Sequence, residues 1–231
     1  MNFADGAVLL VNKPLHWTSF DVVNKIRYAL KRNYGKLKVG HAGTLDPLAT
    51  GLLIICTGKF TKQIDTYQAQ EKEYTGTLHL GATTASLDAE MPIEQIFPTE
   101  HINLELLQSA TLPFIGYIEQ IPPIYSAIKV DGQTAHIAAR KGKELELKPR
   151  AVSIATFELT QITMPDISFR VVCSKGTYIR SLVRDYGTVL YSGAYLTALC
   201  RTRIGDYLLA NAWQLDELIA HIQAQELPTL P

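Results

Sequence analysis

The stretch Gly40-His41-Ala42-Gly43-Thr44-Leu45-Asp46-Pro47-Leu48-Ala49-Thr50-Gly51 runs straight into the apolar block Leu52-Leu53-Ile54-Ile55-Cys56. Glycines at both ends and in the middle, with a proline between them, require a shaped loop that neither a helix nor a strand can contain. The apolar block that follows reads as a strand buried on both faces. The fold must therefore carry this loop on the end of a central strand, which gives Asp46 a rigid support. From the residues alone, Asp46 can be either the cap of an Asp-Pro turn or a carboxylate presented for chemistry.

Nearly half of the 231 residues are apolar (47%), which is ample for a core without staples. Cys56, Cys173 and Cys200 are odd in number and show no CxxC spacing, so neither a disulfide framework nor a zinc site is suggested. No apolar run reaches the roughly twenty residues of a membrane span, and the N-terminus lacks the pattern of a signal peptide. A cytoplasmic chain with no membrane partner is the expectation. The formal net charge is +0, which argues against a nucleic-acid partner until its distribution is considered. Lys25, Arg27, Lys31, Arg32, Lys36 and Lys38 occur with no acid among them, and Arg170, Lys175, Arg180 and Arg184 form a second basic group. Such segregation can create a basic face on a neutral protein.

Along the chain, Ala7 to Asn12 reads as a strand, and Thr18-Ser19-Phe20-Asp21 as a capping box opening a helix with Phe20, Val23, Ile26 and Leu30 on its core face. Thr61 to Ala69 reads as a short helix. An alternating strand beginning at Lys72-Glu73-Tyr74 places Tyr74, Gly76, Leu78 and Leu80 on one face. Asp88 to Pro98 is acidic and turn-rich, and Asn103 to Ala110 is a modest helix; neither carries visible chemistry. Gln120 to Gly132 reads as a strand entered through Pro122-Pro123 and closed by an Asp131-Gly132 turn, followed by a helix from Thr134 to Lys141. Strands at 151–163 and 167–174 precede a helix from Tyr178 to Leu190, on which Arg180 and Arg184 share a face. Leu196 to Ile204 is a strand and Ala212 to His221 a last helix.

Several of these stretches resemble, in order, motifs of the TruB family of tRNA pseudouridine synthases. GHAGTLDPLATG matches its active-site signature. Asn12-Lys13-Pro14 with Thr18-Ser19 is similar to its KPxGxTS opening, with His16 in place of the glycine. Lys72-Glu73-Tyr74, QIPPIYSAIKVDG and CSKGTYIRSL resemble three further motifs. The resemblance implies an α+β pseudouridine synthase fold, a curved, mainly antiparallel sheet flanked by helices, with an RNA-gripping insertion at about residues 120–150. One catalytic domain spanning the chain, without a C-terminal PUA domain, is expected.

The function implied is conversion of uridine-55 to pseudouridine in the T-arm loop of tRNA, by a monomer that uses no cofactor and no metal. Asp46 would be the catalytic carboxylate, paired with Arg180 and close to Tyr178, and Tyr74 would stack on the target uracil. His41 would fill the gap left by the extruded base, and Leu199 would line the uracil pocket. Lys13 and Lys129 correspond to motif lysines, while His136 stands where a tyrosine is usual. Two rival readings differ in class. A phosphate-binding loop at Thr57-Gly58-Lys59 fails because Phe60 replaces the required hydroxyl and the glycine spacing is wrong. A catalytically inactive RNA-binding or chaperone module is opposed by the joint presence of Asp46, Tyr74, Tyr178 and Arg180.

Overall fold

The computed structural model describes residues 3, 5–126, 128–130, 133–134 and 147–225. In chain order the elements are β1 (Val8–Lys13), α1 (Ser19–Tyr34), β2 (Val39–His41), β3 (Ala49–Thr57), α2 (Ile64–Ala69), β4 (Lys72–Leu80), β5 (Ala82–Thr84), β6 (Ile93–Ile96), α3 (Leu104–Ser109), β7 (Gly116–Gln120), β8 (Lys129–Val130), β9 (Gln133–Thr134), β10 (Arg150–Thr163), β11 (Asp166–Cys173), α4 (Ile179–Val189), β12 (Ala194–Ile204), β13 (Tyr207–Leu208), β14 (Trp213–Gln214) and α5 (Leu215–Ala224). The class is α+β with mixed strand pairing. The chain forms two compact units, Met1–Tyr74 with Leu199–Pro231, and Thr75–Ala198. Strands β4 and β12 each run from one unit into the other.

In the first unit β3 is the central strand that its apolar block demands. β1 pairs antiparallel to it, with Lys13 opposite Gly51, and β12 pairs parallel, with Leu199 opposite Ala49 and Arg201 opposite Gly51. β2 adds antiparallel through His41 opposite Ile55. On one face of β3, Leu53 and Ile55 pack under α1 and α5 through Val22, Ile26, Leu30, Leu218 and Ile222. On the other, Leu52, Ile54 and Cys56 pack with Ala42, Tyr67 and Ile204. Burial on both faces follows directly from an unbroken apolar run.

Helix α1 opens with the expected capping box. Thr18 Oγ accepts the Asp21 N–H at 3.0 Å, and the Thr18 N–H donates to the Asp21 carboxylate at 2.9 Å. Phe20 is not on the core face. It is 57% exposed, and the buried stripe is Val22, Val23, Ile26, Ala29 and Leu30. At the first turn of a helix the ring still reaches solvent, where the Arg27 guanidinium covers it 5.7 Å from the centroid. The last helix also starts later than the spacing suggests. Trp213-Gln214 is instead drawn into a parallel strand beside Val11-Asn12, and α5 begins at Leu215.

In the second unit β10 lies between β7 and β11, antiparallel to both. Ile167, Phe169, Val171 and Cys173 are all buried, as their alternation requires, and Phe157 packs edge-on against Phe169 and Tyr186. Tyr186 donates its hydroxyl to Leu107 O at 2.9 Å. The strand expected from Gln120 onward ends at Gln120 itself, because the prolines that follow remove two ladder donors. Among the described residues of this stretch, pairing resumes between Lys129-Val130 and Gln133-Thr134. Thr134 is thus in a strand. The Asp131-Gly132 turn, the rest of the helix expected to Lys141, His136 and most of the 120–150 insertion lie outside the described residues.

Gly51 has φ 102°, and a Cβ there would stand 2.4 Å from the Arg201 backbone oxygen. Both the left-handed backbone and the close approach of β12 need glycine at this point. Gly51→Ala is expected to destabilise the protein by about 2 kcal/mol or more, read from urea unfolding midpoints at unchanged slope.

Candidate active site

The loop carrying Asp46 hangs between β2 and β3 and is fastened from three sides. Ala42 N–H donates to Ile54 O at 2.9 Å, which starts the loop on β3. Ser19, the first residue of α1, accepts the Leu45 N–H on its hydroxyl oxygen at 2.8 Å and donates its hydroxyl to Leu45 O at 3.1 Å. Ala49 N–H donates to Asp46 O at 3.0 Å and closes a turn around Pro47. A half-buried Asp46 therefore sits on a loop whose two neighbouring segments cannot drift.

A further fastening is Arg201, only 1% exposed. From β12 its Nε donates to Leu52 O at 2.8 Å, and its two terminal nitrogens reach Gly43 O at 3.1 Å and Thr44 O at 3.5 Å. The Gly43 and Thr44 carbonyls belong to the irregular loop and the Leu52 carbonyl to β3, and a planar fork of donors can serve all of them at once. Gly43 has φ 92°, a left-handed backbone that favours glycine; a Cβ there would stand 3.6 Å from the guanidinium, an ordinary contact, so the conformation and not the space calls for glycine. In the sequence Arg201 is only one position within the strand expected from Leu196 to Ile204.

Lys13, at the end of β1, is fully buried. Its ammonium donates to Pro14 O at 2.9 Å, to Trp17 O at 2.5 Å and to Pro47 O at 3.4 Å, tying the β1–α1 turn to the residue after Asp46. Burial pulls its pKa down from the usual lysine range to about 8. The negative charges of Asp46 and Asp21 oppose that shift, and Arg201 adds to it. Lys13 is thus a cation held in the electrostatic reach of Asp46. His41 is half-buried. Desolvation lowers its pKa, the Gly43 backbone partly restores it, and the Arg201 charge lowers it again. The imidazole is neutral at pH 7, and its buried Nδ1 lacks a hydrogen-bond partner among the described residues.

Tyr74 reaches the first unit through a well-anchored strand start. Buried Lys72 donates to Gln68 O and Gln70 O at the end of α2, and Glu73 accepts the Thr202 hydroxyl at 2.8 Å. Tyr74 itself is 8% exposed, with Leu78 and Leu80 buried on the same face as expected. Leu199, half-buried, lies opposite Ala49 on β3 and so stands beside the end of the Asp46 loop. Five sequence candidates, Lys13, His41, Asp46, Tyr74 and Leu199, thereby belong to one unit.

The second unit holds Tyr178 and Arg180 at the start of α4. Gln120 grips the Tyr178 backbone from both sides, accepting its N–H at 2.8 Å and donating to its carbonyl at 3.1 Å. Arg180 is buried, which is unusual for a helical arginine. It donates to Ser86 O and to Tyr125 O, each at 2.8 Å, and stands 3.4 Å from the Asp88 carboxylate. Asp88 in turn accepts the Ser86 hydroxyl at 2.6 Å and the Glu90 N–H at 3.0 Å. This is the acidic stretch that carried no visible chemistry in the sequence. Its signal is absent there because a buried Asp and an exposed one are the same letter. Lys129 lies on β8, and its side chain is outside the described residues.

A model of the TruB family pseudouridylate synthases (N-terminal domain) matches residues 31–179, which contain Asp46, Tyr74 and Tyr178. The chain belongs to the TruB family. Proteins named tRNA pseudouridine synthase B from Phocaeicola vulgatus and Bacteroides fragilis are similar to it at 56% and 57% identity, over 98% of this chain and 97% and 98% of their own. The one from Flavobacterium johnsoniae is 56% identical over 91% of this chain and 93% of its own. Among solved structures, a chain of a Cbf5-Nop10-Gar1 complex superposes with a TM-score of 0.73 at 28% identity, covering 95% of this TruB-family chain, which spans 55% of that longer one. A chain from an H/ACA RNP bound to a substrate RNA containing 2'-deoxyuridine superposes with a TM-score of 0.69 at 26% identity, covering 94% of this chain and 53% of its own.

Because the Lys13 proton is lost as pH rises through about 8, and with it a positive charge facing Asp46, turnover is expected to fall on the alkaline side. A plot of kcat/KM against pH should show a limb with an apparent pKa of about 8 in the native protein. Lys13→Met should be slower throughout and lack that limb. An identical limb in both would assign the titration to another group.

Proposed function

We propose that this chain isomerises uridine-55 in the T-arm loop of tRNA to pseudouridine, acting in the cytoplasm as a monomer. The reading rests above all on Asp46, a carboxylate on a loop held by Ser19, Arg201 and Lys13 in a chain whose relatives bear the name tRNA pseudouridine synthase B. The reaction breaks the C1′–N1 bond, turns the uracil and joins C1′ to C5, so no group is gained or lost and no cofactor is called for. Asp46 can act as a nucleophile at C1′ or C6, or as a base on the C2′ proton. Each route needs its ionised form, which a facing cation favours.

The uridine lies in a folded loop and must be extruded, at a cost of a few kcal/mol in lost stacking. Tyr74 is the proposed platform for the uracil, and Leu199 the proposed apolar wall beside it. A neutral His41 suits the space the base vacates, since it brings hydrogen-bonding capacity without a charge to desolvate. Arg180 and Tyr178 complete the proposed catalytic group, and Lys13 and Lys129 the proposed substrate-binding one. An inactive RNA-binding module is the alternative, and turnover decides between them.

Asp46→Asn keeps the shape and removes the charge. It should retain RNA binding and its melting temperature while losing roughly 10⁴-fold or more in rate. Substantial remaining activity would sink the assignment. When the new carbon–carbon bond forms, C5 must surrender its hydrogen. Release of tritium from C5-labelled T-arm RNA should therefore proceed in excess EDTA without added nucleotide, and dependence on either would refute the cofactor-free reading.

A further inference from the structure

Among the described residues, three other than glycine hold a left-handed backbone, and they differ in what the neighbouring structure does with them. Tyr191 (φ 52°) follows the end of α4 and donates its N–H to Thr188 O at 3.0 Å, the usual place for such a conformation. Leu87 (φ 64°) closes a turn onto Thr84 O at 3.1 Å and delivers Asp88 to Arg180. His16 (φ 65°) stands in the turn between β1 and α1, where its N–H donates to Pro47 O at 2.8 Å. Glycine would take this backbone without strain, and histidine only tolerates it. The fold therefore asks for no side chain at position 16, yet one is present.

No intramolecular role accounts for it. The imidazole is exposed, and among the described residues it makes no hydrogen bond or ion pair. Its backbone, however, is bonded to the carbonyl of the residue that directly follows Asp46, the same carbonyl that Lys13 reaches. A solvent-facing imidazole is thus mounted on the rim of the Asp46 loop by a hydrogen bond that fixes its Cα. The helix that begins three residues later carries Lys25, Lys31 and Arg32, all exposed, with no acid beyond Asp21. Strain retained beside a reacting group, with nothing inside the protein to explain it, points to a contact made with the substrate.

We infer that His16 is an RNA-contacting residue that sets substrate affinity. Its imidazole N–H is donated to an oxygen of the ribose-phosphate backbone next to the uridine held at Asp46. The inference rests on the proposed reading of Asp46, and its test separates the two. His16→Gly removes the imidazole and relieves the backbone, while His16→Asn keeps a side-chain N–H and tolerates the left-handed conformation. In the full chain acting on T-arm RNA, His16→Gly should melt at or above the native temperature. Its KM should rise about three- to tenfold with kcat within about twofold, the size of one exposed hydrogen bond. His16→Asn should recover at least half of that loss on a logarithmic scale.

RNA binding measured in the Asp46→Asn background should weaken by a similar factor when His16→Gly is added. A native KM in His16→Gly, or a melting temperature several degrees lower, would overturn the inference and make the imidazole irrelevant or structural. Equal RNA affinity with and without His16→Gly in the Asp46→Asn protein would do the same. Failure of the Asp46 reading would show instead as turnover surviving in Asp46→Asn, whatever position 16 does.

Discussion

A buried guanidinium holding irregular backbone is the interaction on which the Asp46 site depends. The carbonyls of Gly43, Thr44 and Leu52 converge where no strand can pair with all of them, and unsatisfied they would cost about 1 to 3 kcal/mol each. Arg201 answers all three from one planar group. Its own burial is tolerable only because those oxygens replace water, so loop and cation stabilise each other. A lysine could not substitute, because a single ammonium on a flexible stem lacks the fork. Gly51 makes the arrangement possible by letting the backbone of β12 press against β3 at the register where Arg201 emerges.

A second buried cation extends the same logic. Lys13 satisfies carbonyls of the turn before α1 and of Pro47, so the loop is held on both flanks of Asp46. Holding the Lys13 cation within electrostatic reach of Asp46 favours the ionised carboxylate. The lowered pKa of Lys13 records the cost, which is desolvation first and repulsion from Arg201 last. In the other unit Arg180 plays a comparable part within its own surroundings, gathering Ser86, Asp88 and Tyr125 around the start of α4. Gln120 performs for the Tyr178 backbone what Ser19 performs for Leu45, one polar side chain acting as both donor and acceptor.

Much of the fold was legible because it rests on short-range rules. The capping box at Thr18, the doubly buried β3, and the alternation along β4 and β11 follow from spacing alone and appear where the spacing places them. Errors arose where tertiary pairing overrode local preference. Trp213 fits a helical pattern but is taken by the exposed side of β1, and Phe20 fits a core stripe but falls just outside the packed arc of α1. The motif letters named Lys13, His41, Asp46, Tyr74 and Leu199 as candidates, and it is the structure that gathers these five in one compact unit. Asp88, Gln120, Ser19 and Arg201 were not named, since polar residues announce themselves in sequence only as surface.

The sequence by itself determined that a glycine-framed loop bearing Asp46 is mounted on a buried strand, and that the chain resembles TruB-family enzymes over most of its length, roughly Gly6 to Leu218. Both are matters of residue order: glycine where φ must be positive, apolar runs where both faces are covered, and ordered motifs. Only the tertiary structure decided which cations are buried, since burial is a property of what packs around a side chain. Arg201 lies about 150 residues from the carbonyls it holds, a separation that the parallel pairing of β12 with β3 reduces to hydrogen-bond distance. The left-handed backbone of His16 likewise follows from a hydrogen bond to Pro47, a partner that residue order does not specify.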